Sequence, residues 1–227
     1  MKRFISLLIT LIYSLLSGHS FGQQFFRIKA DITIERKNTK DTTEVYVGKA
    51  FYDKNLKKLV YQLTFPESEI WLFTDTNVVK VVNGKTIEHQ SMMNIIDFTI
   101  FSLALNGSLN NYGMDNKSFI IKDIEKADSL VITTYEINNP KMKGYQISLA
   151  TKSKLLFGVA YQNDSGEVVS QKFFEDYMNI NGFQFPSKVT QIFYKDGKEA
   201  YEIDKYSNIK LNELDEENIY NYIPPEN

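Results

Sequence analysis

Two histidines, His19 and His89, are all the imidazole this chain carries, and cysteine is absent. Without thiols there is no disulfide frame, no thiolate metal site, no cysteine nucleophile and no lipid-bearing cysteine of a lipoprotein. Multi-histidine metal sites and most imidazole-driven catalysis need residues this chain lacks. His89 stands between Glu88 and Gln90 at the end of a strand-like run, which reads as a solvent-facing strand position. Asp123, Glu125, Asp128, Glu175 and Asp176 have the functional groups of a glycosidase-like pair, but they fall near expected strand ends and turns, where a solvated carboxylate is the ordinary outcome. No phosphate loop, dinucleotide fingerprint or serine-elbow motif occurs. The reading is therefore not of an enzyme: no catalytic residue, metal ligand or cofactor is expected. Lys54, Lys57 and Lys58 cluster in an expected hairpin loop. They read either as edge protection or as a contact for an anionic partner or a lid.

The 227 residues, with 26 basic and 28 acidic side chains and a formal charge of −2, leave room for a large core and give no global attraction to nucleic acid. Lys2 and Arg3 precede an apolar run from Phe4 to Leu16, followed by Ser17, Gly18, His19, Ser20, Phe21 and Gly22. That order of charge, apolar stretch and small residues reads as a secretory signal over residues 1–22, cleaved after Gly22. An uncleaved anchor is the alternative, for which the run is short of the roughly 20 apolar residues a span requires. Cleavage removes His19 and leaves His89 alone. Export across an inner membrane predicts a periplasmic location.

From Phe25 to Ile209 the chain alternates short runs rich in Val, Ile, Tyr, Phe and Thr with turn residues, the pattern of a meandering antiparallel sheet. Strands are expected at Phe26–Arg36, Thr43–Tyr52, Lys58–Phe65, Glu69–Thr74, Val78–Val82, Lys85–His89, Phe119–Ile124, Leu130–Ile137, Gly144–Ala150, Leu155–Gln162, Val168–Tyr177, Phe183–Tyr194 and Ala200–Tyr206. Asn83-Gly84, Asn181-Gly182 and Asp196-Gly197 mark tight hairpins. Within Lys58–Phe65, Leu59, Tyr61, Leu63 and Phe65 share one face, which calls for burial while the other can meet water. With 16 Phe and 14 Tyr in the chain, something has to cover the aromatic face.

The cover is Ser91–Leu105, where Met92, Ile95, Ile96, Thr99, Ile100 and Leu103 follow helical spacing and Asp97 is the single charge. A helix this apolar belongs on the sheet rather than on a solvated surface. It reads as a core helix or, more sharply, as a lid over an apolar cavity. From Asn212 an acidic stretch leads to Ile219, Tyr220, Tyr222 and Pro224-Pro225, read as a short helical turn and an irregular end. The expected organisation is a signal over 1–22, one sheet domain over 23–211 and an acidic tail over 212–227.

Gly48-Lys49-Ala50-Phe51-Tyr52, Leu59 through Glu67, and Trp71-Leu72-Phe73-Thr74-Asp75 resemble the periplasmic outer-membrane lipoprotein carriers of the LolA type. Phe174-Glu175-Asp176-Tyr177 through Lys188 resembles the later hairpin of the wider lipoprotein-sorting family. The resemblance implies a mainly β, α+β fold: one curved antiparallel sheet forming an unclosed half-barrel, with a helical lid on its concave face. It implies a carrier of lipoprotein acyl chains, with an inner-membrane release complex and an outer-membrane acceptor as partners and no cofactor. Leu59, Tyr61, Leu63, Phe65, Met92, Ile95, Ile96, Ile100 and Leu103 are then the ligand-binding residues, and Lys54 stands near the family's lid-controlling basic residue. The family's long N-terminal amphipathic helix is missing, and a lysine lacks the planar fork of the usual arginine. The expected protein is a monomer. Three alternatives stand behind it: a binding module of this fold for another hydrophobe, such as a glycolipid, pigment or polymer precursor; an interaction protein with a filled core; and, last in order, a hydrolase using His89 or a carboxylate pair.

Overall fold

The structure is a computed structural model, and it describes residues 25–92, 95–114 and 117–225. The expected signal segment lies outside the described residues. Thirteen strands are described: β1 Arg27–Lys37, β2 Thr43–Asp53, β3 Lys58–Phe65, β4 Glu69–Phe73, β5 Asn77–Val82, β6 Lys85–Ser91, β7 Phe119–Ala127, β8 Leu130–Ile137, β9 Gln146–Lys152, β10 Leu155–Gln162, β11 Val168–Ile180, β12 Phe183–Lys195 and β13 Lys198–Leu211. They form one antiparallel sheet in the order β6-β5-β4-β3-β2-β1-β13-β12-β11-β10-β9-β8-β7. The two meanders, β1–β6 and β7–β13, meet where β1 pairs with β13, and the sheet is not closed. At the three expected hairpins, Asn83-Gly84, Asn181-Gly182 and Asp196-Gly197, both residues have positive φ, the conformation that a two-residue turn needs to match the strand twist.

Because β6 and β7 are opposite edges of the sheet, the chain between them must cross from one edge to the other. It does so over the concave face, and it carries the cover. A 3-10 turn, Ile95–Phe98, is followed by a helix α1, Ile100–Leu105, all six of whose residues are buried. The single helix expected over Ser91–Leu105 is therefore broken. Ser91 still belongs to β6, and Thr99 interrupts the run: its hydroxyl donates to the Ile96 carbonyl at 2.8 Å and its oxygen accepts from the Ser102 amide at 3.3 Å, capping α1.

Burial alternates along β1, where Ile28, Ala30, Ile32 and Ile34 enter the concave core with Ile96, Phe101, Leu103 and Leu105 of the cover. The convex face is covered locally. A second cluster there joins Phe51, Val60, Leu72, Val79 and Val81 to Tyr220 of a short helix, α2, Glu217–Tyr220. Arg27 anchors this segment. Its Nε donates to Asp53 at 2.5 Å, its terminal nitrogens reach Glu217, and its guanidinium lies 4.4 Å from the Tyr220 ring centre. Lys29 adds contacts to Asp215 at 2.8 Å and Glu216 at 2.5 Å.

Candidate functional site

Between the 3-10 turn and the concave face lies a cavity of about 600 Å³, within the size range of small-molecule binding sites. The cover divides the concave face. Under α1 the core is solid: the buried Phe101 ring sits 5.3 Å from Tyr206, 5.6 Å from Phe185 and 6.2 Å from Tyr52. Under Ile95–Ile100 it is hollow, with walls from β1, β3, β4, β7, β8, β9, β10, β11, β12 and β13.

The expected binding residues separate along this division. Leu59 and Tyr61 of β3, with Met92, Ile95 and Ile100 of the cover, line the cavity. Leu63, Ile96 and Leu103 are buried in the packed core beside it. Phe65 is 54% exposed and lies outside. The reason is a bulge: Gly48 pairs with Leu63 but Val47 pairs with Phe65, so Thr64 is the extra residue and the alternation of β3 slips by one. Gly48 permits it, since a Cβ there would stand 2.1 Å from the Gln62 carbonyl oxygen. Lys54 is not a wall residue. Its ammonium donates to the Leu105 carbonyl, the last residue of α1, at 3.3 Å.

Sequence reasoning missed most of the aromatic lining: Trp71 and Phe73 of β4, Phe98 of the cover, Phe119 of β7, Tyr161 of β10 and Phe174 of β11. Each belongs to an alternating strand or the apolar cover, so the signal was present. What it lacked was the position of the cover. Tyr112, which follows α1, also lines the cavity and accepts a hydrogen bond from the Tyr161 hydroxyl at 3.1 Å. Burial pushes the Tyr161 phenol well above its ordinary range and raises that of Tyr112 against the pull of the Tyr161 hydrogen bond.

One end of the cavity is polar, where Arg36, Lys172, Glu202 and Asp204 join the wall. Arg36 Nε donates to Glu202, and its guanidinium stacks 4.6 Å from the centre of the Trp71 ring. The Tyr206 hydroxyl donates to Asp204 Oδ2 at 3.2 Å, while Oδ1 is buried without a partner. Burial, with the Glu202 charge adding to it, pushes the Asp204 carboxyl up to about 7 against the pull of the Tyr206 hydrogen bond.

Elsewhere the expected solvated groups are on the surface. His89 is exposed and hydrogen-bonds Asn77 Oδ1 at 3.0 Å. Asp123, Glu125, Asp128 and Asp176 are exposed, and Glu175 pairs with Lys188 at 2.9 Å. Among the described residues no group of three or more His, Asp or Glu side chains is placed to hold a metal, and no helix is long and apolar enough to cross a membrane.

No protein-family model matches the chain, and no curated protein matches its sequence. Solved structures share its fold. A LolA superfamily protein from Nitrosomonas europaea superposes with a TM-score of 0.54 at 15% identity, over 88% of this chain and 91% of that one. A DUF1329 family protein from Desulfovibrio piger gives 0.59 at 12% identity, over 87% and 90%. A putative outer membrane lipoprotein-sorting protein domain from Vibrio parahaemolyticus gives 0.50 at 11% identity, over 88% and 91%. The chain has a LolA-like fold, the open antiparallel half-barrel expected from the sequence.

Proposed function

We propose that this chain is an exported periplasmic carrier that takes the acyl chains of a lipoprotein, or of another lipid, into the cavity under Ile95–Ile100 and moves them from the inner to the outer membrane. The observation that carries this reading is the hollow of about 600 Å³ whose lining is apolar and aromatic except at one end, roofed by a chain segment rather than filled by it. The basic start and the apolar run Phe4–Leu16 support export. The LolA-like fold supports the carrier class.

The mechanism needs no chemistry. Each methylene transferred into the cavity gains about 0.8 kcal/mol, so a long chain is held until the cover moves. The Lys54 contact to Leu105 is the tie that such a movement breaks. Release then requires a partner to drive it, which an inner-membrane release complex for loading and an outer-membrane acceptor for unloading would supply.

Native mass spectrometry on the chain purified without detergent from a Gram-negative periplasm, followed by solvent extraction, tests the reading. A bound acyl species is the expected result. An apo mass that persists after incubation with acylated peptide would overturn it in favour of an interaction protein.

A further inference from the structure

The cavity is apolar along most of its wall and polar at one end only, and that end does not stop at the cavity. Arg36 and Glu202 also line a second hollow of about 270 Å³, together with Asn38, Thr42, Glu44 and Tyr201. The strand register gives the order. Glu44, Arg36, Glu202, Gln191 and Lys172 stand opposite one another in a row across β2, β1, β13, β12 and β11. The neighbouring row runs Tyr46, Ile34, Asp204, Val189 and Phe174, and is apolar or aromatic but for Asp204. One row of polar side chains therefore separates the apolar cavity from a polar pocket near the β1–β2 turn.

We infer that this end is a headgroup subsite for an uncharged, hydroxyl-rich amphiphile, whose chain fills the apolar cavity while its head lies across Arg36 and Glu202 into the second pocket. This rests on the carrier reading and narrows its ligand. The signs along the subsite come close to cancelling, with Arg36, Lys172 and, in the second pocket, Lys37 set against Glu202, Glu44 and the partly protonated Asp204. A carboxylate or phosphate head would face the acids among them, and a quaternary ammonium head the cations. A hydroxyl both donates and accepts, so a cluster of hydroxyls satisfies both signs without adding charge. The site has room for such bonds. Among the described residues Lys172 makes no ion pair, Arg36 uses only Nε toward Glu202, and Asp204 Oδ1 has no partner.

The chain's single tryptophan, Trp71, lines the cavity beneath the Arg36 guanidinium and reports occupancy by its fluorescence. The full mature chain is titrated, below the micelle concentrations, with three amphiphiles sharing a twelve-carbon chain: dodecyl maltoside, laurate and dodecyltrimethylammonium. The maltoside should bind about tenfold more tightly than either charged ligand. Glu202→Gln removes one of the acids a carboxylate would face and should reduce that preference to about threefold or less by tightening laurate, whereas Asn38→Leu, in the second pocket alone, should reduce it by weakening the maltoside while laurate affinity stays within about twofold. Thermal melts confirm that each variant is folded. The comparison of heads on the unsubstituted protein stands by itself if a variant does not fold. Equal affinity for the three heads, or preference for a charged one, overturns the subsite and leaves the carrier reading intact. Binding of none of the three overturns both.

Discussion

The Lys54 ammonium and the Leu105 carbonyl lie 3.3 Å apart, so the turn between β2 and β3 holds the C-terminal end of the helix that covers the concave face. The turn is itself well held. Asp53 Oδ1 accepts from the Asn55 and Leu56 amides at 2.8 and 3.0 Å, the Lys54 amide donates to the Phe26 carbonyl at 2.9 Å, and Asp53 Oδ2 takes Arg27 Nε. The cation at position 54 thus sits on a fixed support and reaches a carbonyl that no turn of helix follows.

Replacing Lys54 with methionine keeps the aliphatic stem and removes this tie. The loss should be small in global stability, about 1 kcal/mol, as for one hydrogen bond from a charged donor at a partly buried site. The larger effect should be local: amide exchange over 100–105 should accelerate relative to the strands, and a bound lipid should dissociate faster. Unchanged exchange in that segment would show that Lys54 does not hold the cover.

Ile100 and Met92 line the cavity, so Ile100→Glu and Met92→Glu put a carboxylate where an acyl chain would lie. Both variants should fold and lose lipid binding by at least about tenfold, as expected for an unpaired charge facing an apolar ligand. Leu63 and Ile96, at 0% and 1% exposure in the packed core, should behave differently: a glutamate there has no water to face and should unfold the protein. Circular dichroism separates the two outcomes, and lipid binding retained by Ile100→Glu and Met92→Glu would remove the cavity assignment.

Asp204 makes stability depend on pH. Its carboxyl is pushed up to about 7, from an ordinary value of 3.8, by burial and then by Glu202. The native state therefore binds this proton more tightly than the unfolded chain does, so stability falls as pH rises from about 4 to about 7 and then levels off. The fall should be on the order of 2 kcal/mol, less than the full shift would give, because the residue as a whole is only partly buried. Urea denaturation at pH 5 and pH 8 should show the difference in the unsubstituted protein and lose most of it in Asp204→Asn. Equal pH dependence in both would assign the effect to other groups.

Tyr220 should hold the C-terminal segment to the convex face. Its ring is 1% exposed, meets Phe51 edge-on at 5.5 Å and lies against Arg27. Tyr220→Ala should cost about 3 kcal/mol, as for other buried aromatic truncations, and should uncover Val60, Leu72 and Val79. Thermal denaturation and binding of a hydrophobic dye measure the two effects; a melting temperature within a degree of the original would mean the segment contributes little.

Much of the sheet was legible because its signals are local. Lys58–Phe65 and Leu130–Ile137 have the bounds that alternation and turn residues predict, and the Asn-Gly and Asp-Gly turns have the positive φ that their residue types favour. Where the period breaks, the reading shortened. β13 runs to Leu211 rather than Tyr206 because its pairing with β1 passes through a bulge between Ser207 and Lys210. Alternation alone puts Phe65 on the concave face, because nothing in its own strand announces the bulge opposite Gly48. The break at Thr99 was hidden for a similar reason: apolar spacing continues through it, and only the hydroxyl's choice of backbone partners ends one turn and starts the next.

By itself the sequence determined what depends on neighbours along the chain: the strands, the tight turns, an apolar segment needing cover, and the lack of thiols and of paired imidazoles that excludes several chemistries. Tertiary structure decided what depends on residues far apart. The β1–β13 pairing joins the two meanders and forces the connection between β6 and β7 across the concave face, and where that connection lies separates packed core under Phe101 from hollow under Ile95–Ile100. It also set Arg36 and Lys172 against Glu202 and Asp204 at one end of the cavity, because charges on three different strands acquire a common environment only when register brings them to the same end of the sheet.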